Sequence, residues 1–137
     1  MALTHLVDTS VLTRLARPSV RAVVEELAGA GQVARAGVSD LEIGLSARNT
    51  REWDRLTAAL EAFVLVETTA AHVRRARQVQ RLLASKSRRG RKVPDLLVAA
   101  AAEEHGLVVL HYDADFDRIG AATGQRCEWV APAGSVD

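Results

Sequence analysis

Apolar and polar positions change period several times along the chain, and each change marks an element. Leu3–Val7 is a short apolar run, read as a strand, and a helical turn through Val11, Leu12 and Leu15 follows it. Val20, Val23, Val24 and Leu27 then recur at helical spacing. Ser19 is predicted to cap that helix and Gly29-Ala30-Gly31 to end it. Gln32–Val38 predicts a weak strand around Val33, Ala34 and Ala36. Ser39-Asp40-Leu41-Glu42 fits a capping box, opening a helix through Leu41, Ile43 and Leu45. Asn49-Thr50 predict the cap of the next helix, with Trp53, Leu56, Leu60 and Phe63 on its inner face. Val64–Val66 predicts a third strand. Thr68-Thr69 open a long helix to about Ser85, in which Arg74, Arg75, Arg77 and Arg81 surround an inner stripe of Val73, Ala76, Val79 and Leu83.

From Val93 to Asp117 the chain holds a helix, a strand and a cluster of acids. Pro94 suits a first helical position, where its missing N–H would have no partner anyway. Leu96–Ala102 is apolar on every face, so this helix is predicted to be buried, with Gly106 ending it. Leu107–Leu110 then reads as a strand covered on both faces, as in a parallel sheet. It ends in His111-Tyr112-Asp113-Ala114-Asp115, where Asp113 or Asp115 is predicted to cap a last short helix carrying Phe116 and Ile119. Cys127–Val130 predicts an edge strand that closes the sheet. Strands alternating with helices argue for an α/β protein with a mostly parallel sheet.

Composition narrows the picture. A chain of 137 residues predicts one domain over 1–137, and 48% hydrophobic residues suffice for a core. The net charge of +1, from 18 basic and 17 acidic residues, announces no nucleic-acid binder, so such a role must rest on local charge. The lone Cys127 allows no internal disulfide, and an inert thiol is expected there. Four histidines without zinc-ligand spacing argue against a zinc site. The start of the chain lacks a basic segment followed by an apolar core, and no apolar run approaches the roughly 20 residues that span a bilayer. A cytoplasmic location without a membrane partner is the expectation.

The acids carry the chemistry. Asp8 and Asp113 each follow the carboxyl end of a buried strand, which is the edge where α/β sheets build sites. Asp95 opens a helix that otherwise shuns charge. Each has a plain alternative: Asp8 as a turn cap, Glu42 as half of the capping box, Asp95 as an acid favoured by the helix dipole. Together, the acids at one sheet edge would repel and raise one another's pKa values unless a cation neutralised them. Oxygen-only ligands point to Mg²⁺ or Mn²⁺, and such sites commonly serve phosphoryl chemistry.

Four pieces in order, Val7-Asp8-Thr9-Ser10, Ser39-Asp40-Leu41-Glu42-Ile43-Gly44, Pro94-Asp95-Leu96-Leu97-Val98-Ala99-Ala100 and Asp113-Ala114-Asp115-Phe116, resemble the PIN-domain ribonucleases. Within that family they resemble the VapC-type toxins of bacterial toxin–antitoxin pairs. The resemblance implies a three-layer α/β/α fold and a metal-dependent endoribonuclease neutralised by a VapB-type antitoxin, with a homodimer expected. It implies Asp8, Glu42, Asp95 and Asp113 as the catalytic acids around Mg²⁺ or Mn²⁺, with Asp8, Asp95 and Asp113 on the metal and Asp115 nearby. Thr9 and Ser10 match a hydroxyl position that fixes the first acid, and also suit plain helix capping. His111 departs from the family, which often carries a small hydroxyl residue there; it is read either as hydrogen-bonded to an acid or as packed.

Two other classes compete. A phosphatase or phosphoacceptor domain would use Asp8 as nucleophile, but Asp8-Thr9-Ser10 lacks the second acid two places on that aspartyl phosphatases carry. A non-catalytic metal-binding interaction module would keep the acids as structure. The basic run Lys86–Lys92 directly precedes the helix of Asp95, so Arg88, Arg89, Arg91 and Lys92 are candidates for contacts to RNA phosphates, with a solvated loop as the alternative.

Overall fold

The computed structural model describes residues 2–86 and 92–136. Five short strands, β1 (His5–Val7), β2 (Val33–Ala36), β3 (Val64–Val66), β4 (Val108–His111) and β5 (Cys127–Trp129), form one sheet in the order β3-β2-β1-β4-β5. All four pairings are parallel, with Val7 opposite Arg35 on one side and Leu110 on the other. Among the described residues seven helices connect them: α1 (Thr9–Leu12), α2 (Pro18–Gly29), α3 (Gly37–Leu45), α4 (Thr50–Ala59), α5 (Ala70–Ser85), α6 (Val93–Glu104) and α7 (Asp115–Thr123). A single 3₁₀ turn, Leu60–Ala62, extends α4.

Alternate side chains of each strand feed two cores. Leu6 and Val109 join α5, α6 and α7 on one face, while Val7 and Leu110 join α1 and α2 on the other. The result is three layers, α/β/α, around a fully parallel sheet. The chain runs outward from β1 through β2 to β3, then returns to the opposite side of β1 for β4 and β5. The order therefore reverses between β1 and β4, and in open α/β sheets the crevice at such a reversal, beyond the strands' carboxyl ends, is where ligands bind.

Several local expectations change. The cap of α2 is Arg17, with no side-chain bond, because Pro18 takes the first helical position and leaves Ser19 inside the turn. β2 runs directly into α3, which begins at Gly37, so Ser39 lies buried in the first turn and no capping box with Glu42 exists. The capping box is at α5 instead: Thr69 accepts from the His72 amide, and the His72 ring accepts from the Thr69 amide. His72, not the half-exposed Val73, completes the inner stripe with Ala76, Val79 and Leu83. Trp53 is 48% exposed rather than inward, and Leu60 and Phe63 supply the burial at that end. Ala114 precedes α7 as its cap residue, although Asp113 Oδ1 still accepts the Asp115 amide at 2.9 Å. Gly106 ends α6 at φ 65°, the left-handed conformation its place in the sequence implies. Cys127 is half-buried on edge strand β5, and burial, then the Asp117 charge, push its thiol up to about 12, which disfavours the reactive thiolate.

Candidate active site

The crevice between β1 and β4 collects acids from five elements. Asp8 leaves the end of β1 and is 3% exposed. Its Oδ2 accepts from the Ser10 hydroxyl at 2.6 Å and from the Ser10 amide at 3.0 Å. The same hydroxyl oxygen accepts the Tyr112 amide at 2.9 Å, so Ser10 ties the carboxyl ends of both strands to Asp8. Burial raises the Asp8 pKa, the bonds from Ser10 oppose it, and the Glu42 charge adds to the rise.

Glu42 comes from α3 after β2. Thr9 Oγ1 lies 2.7 Å from Glu42 Oε1 and 2.9 Å from the buried Ser39 Oγ. One hydroxyl has one proton, and a carboxylate is the stronger acceptor, so Thr9 donates to Glu42 while Ser39 supplies its own proton to Thr9.

Asp95 sits in the first turn of α6 and is 6% exposed. Carboxylate oxygens of Asp95, Asp113 and Asp115 lie within 4.8 Å of one another. Lys92 closes this group: its Nζ is 2.8 Å from Asp113 Oδ2, 3.2 Å from Asp115 Oδ2 and 3.6 Å from Asp95 Oδ2. That ammonium does not satisfy the group fully, since among the described residues Asp95 Oδ2 is buried without a hydrogen-bond partner. Burial and the charges of Asp8, Asp113 and Asp115 push the Asp95 pKa up to about 7, against the pull of Lys92. Burial also acts upward on Asp113, but the bonds from Lys92 and the Asp115 amide outweigh it and hold Asp113 below 3.8. Asp115 is further paired with Arg118 at 2.6 Å.

His111 is fully buried and packs between Phe116 and Trp129, with ring centroids at 5.0 and 5.1 Å. Its Nδ1 accepts the Asp113 amide at 3.2 Å, so it both packs and aims the turn, and among the described residues it makes no hydrogen bond to a carboxylate. Burial lowers its pKa, which keeps the ring neutral.

Asp95, Asp113 and Asp115 thus form the tightest group, with Asp8 electrostatically coupled to Asp95 and Glu42 to Asp8. The donor set is oxygen alone and includes an orphaned buried carboxylate oxygen, a composition that suits a hard divalent cation. The sequence alone makes Asp115 a nearby acid and leaves Lys92 either a candidate phosphate contact or part of a solvated loop. Lys92 stands three residues before Asp95 at a helix start, a spacing that signals contact. The hydroxyl of Ser39 was missed because the capping pattern accounted for it. Arg88, Arg89 and Arg91 lie outside the described residues.

The PIN domain family profile matches residues 5–122. Over the full length of both chains the protein is 66% identical to ribonuclease VapC51 of Mycobacterium tuberculosis strain H37Rv. It is 42% identical to ribonuclease VapC21 of the same species, over 99% of this chain and all of that one. Among solved structures, VapBC2 from Rickettsia felis, bound to a DNA fragment from its promoter, superimposes with a TM-score of 0.76 at 16% identity, covering 94% of this chain and 98% of that one. VapBC-5 from M. tuberculosis, a member of the VapBC family of toxin–antitoxin systems, superimposes with a TM-score of 0.64 at 25% identity, covering 93% and 96%.

Proposed function

The chain belongs to the PIN domain family and, within it, to the VapC ribonucleases, and from that premise we propose a metal-dependent endoribonuclease toxin neutralised by a VapB-type antitoxin. The observation that carries the catalytic part is the trio of carboxylates at the sheet's reversal point, with Asp95 Oδ2 buried and, among the described residues, without a hydrogen bond. Asp8, Asp95 and Asp113 would hold Mg²⁺ or Mn²⁺, with Asp115 beside them. When bound, such an ion lowers the pKa of water and neutralises charge developing on a phosphodiester. The chain's own residues set the stage. Ser10 holds Asp8 in one orientation, and His111 and Lys92 fix Asp113. Thr9 anchors one oxygen of Glu42 and leaves the other able to take a proton from water.

A phosphoacceptor role for Asp8 is disfavoured. Ser10 stands where aspartyl phosphatases carry a second acid, and its hydroxyl is already bound to Asp8. The antitoxin partner rests on the likeness to VapC ribonucleases and VapBC complexes. The exposed Leu41, Leu45, Trp53 and Leu65 offer apolar ground for it and for the second copy of an expected homodimer.

Asp8→Asn and Asp95→Asn test the site, since each keeps shape and removes charge. Metal-free stability is expected to hold or rise, as repulsion is relieved. Manganese affinity should fall and RNA cleavage collapse. In the parent, Mn²⁺ at a hundredfold excess over its dissociation constant should stabilise by about 2.7 kcal/mol. Variants that lose metal-free stability, keep the full Mn²⁺ shift and still cut RNA would refute the carboxylate site.

A further inference from the structure

The net charge of +1 conceals a strong segregation. From Thr68 to Pro94 the chain carries nine of its 18 basic residues and none of its 17 acidic ones. Folding of α5 does not require this, because the helix is held by its buried stripe of His72, Ala76, Val79 and Leu83. Of its four arginines, Arg75 pairs with Glu103 at 2.7 Å. Arg74, Arg77 and Arg81 stand three and four residues apart on the face opposite the stripe. Among the described residues no ion pair or hydrogen bond engages these three. Like charges at such spacing repel. With Gln78 and Gln80 they border an open hollow of about 620 Å³ whose polar side chains are rich in N–H donors.

The row also has a direction. His72 and Arg75, early in α5, reach Glu104 and Glu103, at the end of α6. The two helices are therefore antiparallel, and the Arg81 end of α5 lies beside the start of α6, where Asp95 and Lys92 are. Arg74 to Arg81 spans about 10.5 Å at roughly 1.5 Å per helical residue.

We propose that the outer face of α5, through Arg74, Arg77 and Arg81, is a track for the phosphate backbone of RNA leading into the carboxylate site. The proposal rests on the nuclease reading above and adds where the substrate lies beyond the scissile bond. Guanidinium forks suit phosphate oxygens. The face carries no aromatic side chain for base stacking, so it would position RNA without reading its sequence.

The test is an Arg74→Ala/Arg77→Ala/Arg81→Ala variant beside a variant with lysine at the same three places. Binding of a labelled single-stranded RNA is followed by anisotropy in EDTA, between about 50 and 200 mM salt. The slope of log affinity against log salt should shrink by about 2 in the alanine variant, at roughly 0.7 per lost phosphate contact. The lysine variant should retain most of it. With Mn²⁺ added, the alanine variant should show a raised KM for long RNA, with trinucleotide cleavage and Mn²⁺ affinity unchanged. An unchanged slope and KM would overturn the track. So would weakened antitoxin binding with RNA binding intact, which would assign the face to an acidic protein surface. A parent that binds RNA without cutting it would sink the nuclease reading yet leave the slope measurement to decide the track.

Discussion

Lys92 is the residue on which the state of the site turns. Its ammonium already neutralises Asp113 and Asp115, and the Asp113 bond, ahead of the other acids, raises its own pKa. A divalent ion must displace or share that charge. Lys92→Met keeps the stem and removes the charge, so at pH 8 it is expected to tighten Mn²⁺ binding and lower the metal-free melting temperature. Calorimetric titration and thermal unfolding measure both; equal Mn²⁺ affinity in parent and variant would mean that the ammonium is no competitor. Asp95 adds a pH dependence whose sign is fixed. Its folded pKa of about 7 lies above the ordinary 3.8, so its contribution to stability is full below about pH 4 and is lost as pH rises through 7. Metal binding needs the deprotonated form, so Mn²⁺ affinity should climb by up to about tenfold per pH unit below 7 and level off above it. Asp95→Asn should flatten both curves. Asp113, held below 3.8, contributes in the opposite sense and only in stronger acid.

At the scale of elements, what the sequence disclosed and what it hid divide along a physical line. Among the described residues, hydrophobic period together with cap and breaker residues found the five strands and α1 to α7, because burial sets that period, but merged the 3₁₀ turn Leu60–Ala62 with α4. Strand ends then placed Asp8 and Asp113 on one edge, as parallel neighbours must. What failed were side-chain partners at helix starts. The Ser39–Glu42 pattern matched a capping box, yet β2 feeds α3 three residues earlier, with Ala36 at the cap, and turns Ser39 inward to Thr9. Val73 reads as core by spacing alone, and α5 is rotated so that His72 takes its place; Trp53 is half-exposed, although Leu60, expected on the same inner face, is buried as expected. No local pattern reports a rotation set by tertiary packing. The Thr9–Ser39–Glu42 link joins α1 to α3 across the site, and it can be tested by Thr9→Val. Removing that hydroxyl leaves buried Ser39 and one oxygen of Glu42 without their partner, at an expected cost of about 1–3 kcal/mol. Thermal unfolding should register that loss, and kcat should fall because Glu42 loses its anchor. Mn²⁺ affinity should stay, since Asp8, Asp95 and Asp113 are untouched. A variant with parental kcat would make the link purely structural.

Across the whole molecule, charge and most exposed apolar surface sit on different elements. The basic face belongs to the outer side of α5, whereas exposed apolar side chains gather mainly on α3, α4 and edge strand β3, with Val73 and Val93 outside that group. Leu41 and Leu45, 73% and 86% exposed, stand one turn apart on α3, and Leu41 shares a hollow of about 320 Å³ with Leu65 and Leu97. Large aliphatic groups left in water by a 137-residue chain with so few aromatics mark an interaction surface more than a packing failure. Glu42 lies on the same helix, so whatever covers Leu41 and Leu45 also borders the acids. The expected occupant of the Leu41–Leu65 side is a second copy of the chain, which would bring two carboxylate sites to one assembly. Leu41→Asp/Leu65→Asp places charges in that contact without touching Asp8, Asp95 or Asp113. Light scattering should report a dimer for the parent and a monomer for the variant, with the Mn²⁺-induced thermal shift preserved in both. A parent that stays monomeric at high concentration would remove the second copy, and loss of antitoxin co-purification in the same variant would give the surface to that partner instead.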